Sequence, residues 1–169
     1  VTELDSLVDQ LDLEQIDINL FRGHSTLGGG PRVFGGQVLG QALIAALRTI
    51  DDRPCHSLHG YFLRPGDPTI PIIYEVDRIR DGKSFATRRI VAIQKGEAIF
   101  SMAASFQTHE SGFSHQSTMP DVPPPEACYG EDDVIKGNLT EDQLPESKAM
   151  LERLNAMRAN RPIEMRRVE

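Results

Sequence analysis

Cysteine is scarce in this 169-residue chain: Cys55 and Cys128 are the two present. They are too few and too isolated for a disulfide framework or a zinc site, so the fold must rest on packing alone. No uninterrupted apolar run is long enough to span a bilayer. The first twenty residues lack the basic start of a signal peptide, and acidic residues interrupt their apolar positions. A reducing cytoplasm fits these absences best. Basic runs are missing too. Of the net charge of −7, residues 1–107 carry −2 (13 acidic against 11 basic) and residues 108–169 carry −5 (12 against 7). A nucleic-acid partner would therefore find no electrostatic footprint, and the acidic tail reads as a solvated connecting segment.

The most telling run present is Arg32 to Leu47, R-V-F-G-G-Q-V-L-G-Q-A-L-I-A-A-L. A glycine pair opens a helix, predicted over 36–49, that is apolar on nearly every side. Gln37 and Gln41 are its two expected water-facing residues. Such a helix has to be enclosed by other structure rather than laid on a surface.

The spacing of Leu4, Leu7, Val8 and Leu11 predicts a short amphipathic helix over 3–13. Ile18 to Arg22 reads as a first strand and Gly23 to Pro31 as a loop. His56 to Leu63 is a strand that ends at Arg64-Pro65-Gly66-Asp67, where Pro-Gly suits the centre of a type II turn. Ile72 to Ile79, Phe85 to Gln94 and Ala98 to Gln107 alternate, and tight turns at Asp81-Gly82 and Lys95-Gly96-Glu97 join them into an antiparallel meander. Small residues crowd the last strand, with Ser101, Ala103 and Ser105 on one face and Ala98 and Ala104 on the other. They let another backbone approach, and the enclosed helix is the expected neighbour.

The class that follows is α+β, one long helix wrapped by one antiparallel sheet, over residues 1–107. Residues 108–160 read as a linker with short helices. It is proline-rich through Pro123-Pro124-Pro125 and regains helical spacing at Met150, Leu151, Leu154 and Met157. Residues 161–169 look like the first strand of a second unit that is expected to continue beyond Glu169.

The helix run, H-S-L-H-G-Y-F-L-R-P-G-D (His56 to Asp67), I-Y-E-V-D-R-I-R-D-G-K-S-F-A-T-R-R-I-V-A-I-Q (Ile73 to Gln94), F-S-M-A-A-S-F-Q (Phe100 to Gln107) and R-P-I-E-M-R-R-V-E (Arg161 to Glu169) resemble, in order and spacing, the acyl-CoA thioesterase II family. The resemblance implies a hotdog fold, a long helix jacketed by an antiparallel sheet, present here as the first half of a double hotdog. It implies hydrolysis of fatty acyl-CoA to free acid and coenzyme A without a cofactor. It also implies an Asp, a Thr or Ser, and a Gln that position and deprotonate water, all in the second hotdog. Gln107 resembles the counterpart of that Gln, but Gly36 to Ile50 holds no acid where a partner carboxylate is needed. The resemblance therefore assigns no catalytic residue within this chain.

Binding roles remain. A thioester hydrolase needs a base for water, donors for the developing oxyanion and an apolar tunnel for the acyl chain. Phe34-Gly35-Gly36-Gln37, at the helix start, offers free amides with the helix dipole behind them. The other reading of the glycines is close packing against the sheet. A period of two sends His56 and His59 to opposite faces, so they share no metal. Either one of them faces the cleft as donor or base, or both are structural. Cys55, on the face away from His56, gains no activation from it. Arg64 and the pair Arg88-Arg89 are candidate contacts for the phosphates or adenine of coenzyme A, or else plain surface residues. Gly28-Gly29-Gly30 lacks the spacing of a nucleotide fingerprint. A hotdog hydratase acting on enoyl-CoA is disfavoured, because the helix from Gly36 to Ile50 has neither acid nor His. The alternative to a thioesterase is a catalytically inert acyl-CoA-binding or assembly half. In either case the uncovered sheet edge predicts pairing with a second hotdog, and a homo-oligomer.

Overall fold

A computed structural model of the chain describes residues 3–25, 31–130, 163 and 166–168. The chain divides into two compact units, Val1–Ser111 and Gly112–Glu169.

In the first unit, helix α1 (Glu3–Leu11) leads into strands β1 (Glu14–Asp17) and β2 (Leu20–Gly23). Two short strands thus replace the single one expected over Ile18 to Arg22. Helix α2 (Gly35–Leu47) follows, then β3 (Cys55–Phe62), β4 (Ile72–Asp81), β5 (Phe85–Gln94) and β6 (Glu97–Gln107). All neighbours pair antiparallel, in the order β1-β2-β4-β5-β6-β3. The meander β4-β5-β6 is the one that alternation predicts. The sheet curls about α2, and this is the hotdog arrangement. Lys95 and Gly96 turn the chain between β5 and β6 with φ of 52° and 78°. Two successive left-handed residues are what a two-residue hairpin requires.

The inner face of the sheet supplies Phe21, Tyr74, Ile90, Ala92, Phe100, Met102 and Phe106, and α2 meets them with Val38, Ala42, Ala45 and Ala46. Alanines on this helix face let its axis lie close to the aromatic rings. Each phenylalanine sealed there contributes about 2 to 3 kcal/mol of transfer free energy. Leu39, Leu43, Ile44 and Leu47 are half-buried along the helix flanks. Of the two small-residue faces of β6, the one carrying Ala104 turns inward, and Ser101, Ala103 and Ser105 turn away from the helix. They alternate with the buried Met102, Ala104 and Phe106 and so lie on the outer face.

Among the described residues Gln41, Thr49, Arg88 and Gln94 are the buried polar ones, and Gln41 and Arg88 lie deepest. Gln41, expected to face water, is fully buried. Its amide nitrogen donates to the carbonyls of Gln10 at 2.5 Å and His24 at 3.1 Å, and its oxygen accepts from the Tyr74 hydroxyl at 2.7 Å. Gly23 makes room for it, since a Cβ there would stand 2.6 Å from Gln41 Oε1. Arg88 is the largest fully buried side chain. Its Nε donates to Thr49 Oγ1, and its terminal nitrogens to the carbonyls of Thr49, Arg80 and Thr87 and to Asp81 Oδ1 at 2.6 Å. A cation just past the carboxyl end of α2 also complements the helix dipole.

The second unit is described in part. A 3-10 turn spans Pro125–Ala127, and β7 (Tyr129–Gly130) pairs antiparallel with β8 (Arg166–Arg167). The helical spacing at Met150, Leu151, Leu154 and Met157 lies outside the described residues, as do residues 26–30 of the Gly23 to Pro31 loop.

Arg88→Met strands several buried acceptors and should cost about 3 kcal/mol or more in urea unfolding. Arg89→Met, which breaks one exposed ion pair with Asp77, should cost less than about 1 kcal/mol. A second expectation concerns alkali. Burial pushes the Tyr74 phenol well above its ordinary value of 10.0. Above that value the unfolded chain releases the proton while the folded chain keeps it, so stability falls as pH rises. Tyr74→Phe should flatten the stability curve above pH 10 by about 1.4 kcal/mol per unit relative to the parent chain.

Candidate active site

An open cleft of about 610 Å³ lies at the amino end of α2. One wall is Pro31 to Gly35, and the other is Phe62 to Gly66, with Val38 and Ile99 as the floor. Each wall arises from local chain geometry. Ile99 is an extra residue in β6 where the pairing with β5 slips, since Ala92 pairs with Phe100 but Ile93 with Ala98. This bulge turns Ile99 inward, next to the equally buried Phe100, and aims its carbonyl at the amides of Leu63 (2.9 Å) and Arg64 (3.2 Å). The Val33 amide donates to the Gly66 carbonyl at 2.9 Å and so ties the two walls together. Gly66 does not take the positive φ of a type II turn, because Gly96 is the one described glycine that does. It is glycine for a different reason: a Cβ would press within 3.3 Å of Val33 and Ile99.

At the head of α2 the amides of Gln37 and Val38 already donate to the Phe34 carbonyl at 3.1 and 3.3 Å. Those of Gly35 and Gly36 have no partner among the described residues. Both glycines lie under aromatic rings. A Cβ on Gly35 would stand 3.0 Å from the Phe62 ring, and one on Gly36 would stand 2.4 Å from the Phe34 ring. Close approach and free donors therefore coexist at the same two residues.

Arg32 and Arg64 give the cleft its positive charge, and its lining contains no Asp, Glu or His. Arg64 also donates to the Ala98 carbonyl at 2.8 Å and stands 3.6 Å from Glu97. Beyond the turn, hydrogen bonds from the Thr69 hydroxyl and amide, with a smaller contribution from Lys95, hold the Asp67 carboxyl below its ordinary value. Among the described residues, no group of three or more His, Cys, Asp and Glu is arranged to hold a metal.

Of the residues singled out in the sequence, Phe34, Gly35 and Arg64 line the cleft, and Gly36 and Gln37 adjoin it. Gln37 turns its side chain to the His24 carbonyl and Ser25 Oγ, both at 3.0 Å. His56 and His59 lie outside the cleft and do not point to opposite faces. Between Cys55 and Ser57 the pairing of β3 with β6 slips by one residue. The slip places His56 against Ser105 Oγ at 2.9 Å on the outer face, where His59 also packs edge-on against Tyr61. Gln107 closes β6 opposite Phe85, with its amide bonded to the Pro54 carbonyl and its side chain 3.3 Å from Glu110. Arg88 serves the fold and is closed to any ligand. Arg89 is exposed and paired with Asp77. Sequence reasoning missed Arg32, Val33, Phe62 and Ile99. An aromatic residue just before the Leu63-Arg64-Pro65-Gly66 segment was the available signal for Phe62.

A family model described as acyl-CoA thioesterase N-terminal domain matches residues 24–107, the span that holds both cleft walls. The chain belongs to the acyl-CoA thioesterase family. It is 46% identical over 137 residues to acyl-coenzyme A thioesterase 8 of Mus musculus, covering 79% of this chain and 43% of that protein. It is also 46% identical over 134 residues to acyl-CoA thioesterase 2 of Haemophilus influenzae, with 79% and 47% covered. The crystal structure of an acyl-CoA thioesterase II, TesB2, from Mycobacterium marinum superposes with a TM-score of 0.67 at 50% identity, over 75% of this chain and 48% of that one. This thioesterase-family chain thus spans about half the length of the relatives it matches.

The two aromatic lids predict different responses to an added methyl. The Phe62 ring is backed by Phe100 at 4.8 Å, so Gly35→Ala should cost about 1 kcal/mol in thermal unfolding. Phe34 is 73% exposed and free to swing, so Gly36→Ala should be neutral or stabilising by up to about 1 kcal/mol.

Proposed function

We propose that this chain is the amino-terminal half of a fatty acyl-CoA thioesterase, which hydrolyses acyl-CoA to free acid and coenzyme A. The observation that carries the reading is the cleft at the head of α2. It brings two glycine amides without a partner among the described residues, two arginines and an apolar lining together within a thioesterase-family domain. The amides of Gly35 and Gly36 suit the oxygen of a thioester carbonyl as it gains charge, and one such donor is worth about 3 kcal/mol in the transition state. Arg32 and Arg64 suit the phosphates of coenzyme A. The apolar walls suit the pantetheine arm and the start of the acyl chain.

The cleft supplies no base, since its lining has no carboxylate or imidazole. On this reading, water is deprotonated by residues of a second hotdog in the same polypeptide, joined through the segment that follows Gln107. That half also pairs with the outer edge of β3, which among the described residues bonds to β6 alone and exposes Leu58, Tyr61 and Phe62. The same missing base favours a narrower reading of the chain by itself: a binding and assembly half with no turnover of its own. Assembly of the complete protein into a homo-oligomer, and a cytoplasmic location, belong to the proposal as well. No helix among the described residues is long and apolar enough to cross a membrane.

The complete polypeptide should release free thiol from fatty acyl-CoA in a thiol-reagent assay, while residues 1–169 alone should release none. Arg64→Ala should raise KM roughly tenfold by removing a phosphate contact, with kcat little changed. If no acyl length yields thiol, the thioesterase reading fails. Turnover by the 169-residue chain sinks the inert-half reading instead.

A further inference from the structure

We propose that Gln37 and Gln94 are positioning residues that set the width of the cleft, each bracing one of its two walls from behind. The proposal rests on the acyl-CoA reading above and adds how that mouth is held open. Neither side chain lines the cleft. The Gln37 side chain, in the first turn of α2, donates to the His24 carbonyl and Ser25 Oγ, both at 3.0 Å. It thereby ties the first turn of α2, which follows directly on the first wall at Gly35, to the exit of β2. Gln94 does the same for the second wall. It is 7% exposed, accepts from the Asp67 amide at 2.8 Å, and donates to the carbonyls of Asp67 at 2.9 Å and Ile70 at 2.7 Å. Those bonds fix the chain just past Gly66.

The braces communicate through one backbone bond, Val33 amide to Gly66 carbonyl at 2.9 Å. Relaxing either brace therefore shifts both walls. A side-chain amide is suited to this role because it offers donors and an acceptor at once, and irregular backbone leaves both kinds of group unpaired. Loss of one brace should change how well the mouth fits its ligand without touching the groups that activate water.

The test uses the complete polypeptide carrying Gln37→Ala or Gln94→Met, assayed for KM and kcat with a fatty acyl-CoA. Amide exchange at Val33 is followed in the same proteins. The expected result for Gln37→Ala is a KM raised roughly fivefold, kcat changed less than about twofold, and faster exchange at Val33. Gln94→Met should behave alike, and Gln94→Glu, which keeps the acceptor for the Asp67 amide, should recover part of the loss. A fall in kcat with KM unchanged overturns the proposal. So does a raised KM with Val33 exchange unaltered, because Gln37 would then be touching substrate itself. Where the unsubstituted protein hydrolyses acyl-CoA and both variants match it, the braces are refuted while the thioesterase reading stands. If the unsubstituted protein hydrolyses nothing, the acyl-CoA reading falls, and unchanged Val33 exchange then overturns the braces.

Discussion

An amide sealed in an apolar core has to find all of its partners there, because leaving one unmade costs about 1 to 3 kcal/mol. Gln41 meets that condition in a single place. Its three hydrogen bonds reach the last turn of α1, the exit of β2 and the start of β4. Sliding or rotating α2 by one residue would break all of them together. Apolar packing alone is permissive about register, and the alanines of this helix would accept several. The glutamine removes that freedom and so decides where the head of α2 comes to rest.

Arg88 performs the matching task at the other end. Its guanidinium holds the chain just past α2, through Thr49, to the hairpin between β4 and β5, through Arg80 and Asp81. The helix is therefore tied at its middle and its tail by buried polar groups, while at its head Gln37 bonds outward to the exit of β2 and the amides of Gly35 and Gly36 have no partner among the described residues. That distribution fits a site at the head, where unpaired donors are useful only if nothing in the fold has already claimed them.

The sequence conveyed the broad plan well. Alternation along β4, β5 and β6 specified the meander, and the run from Gly36 to Leu47 specified an enclosed helix. Features set by distant partners stayed hidden. A glutamine or arginine in an alternating or helical pattern reads as a surface residue, and nothing local marks Tyr74 or Thr49 as the group that will satisfy it. The slips at His56 and Ile99 were equally invisible, because one extra residue reverses the face of a side chain without altering composition. The first moved His56 onto the outer face beside His59, and the second made Ile99 part of the cleft. The pairing of β3 with β6 joins segments separated by two whole strands, which no short-range pattern reports.

The bare edge of β3 has a consequence for how the protein is made. A chain synthesised from its amino terminus at about 5 to 20 residues per second emerges over several seconds, and residues 1–107 are complete before the segment that follows them. During that interval an eight-residue strand carrying Leu58, Tyr61 and Phe62 offers unclaimed backbone groups to every nascent neighbour on the same messenger. The hazard is greatest in crowded polysomes, where identical halves sit side by side. The hazard lasts until that edge is covered.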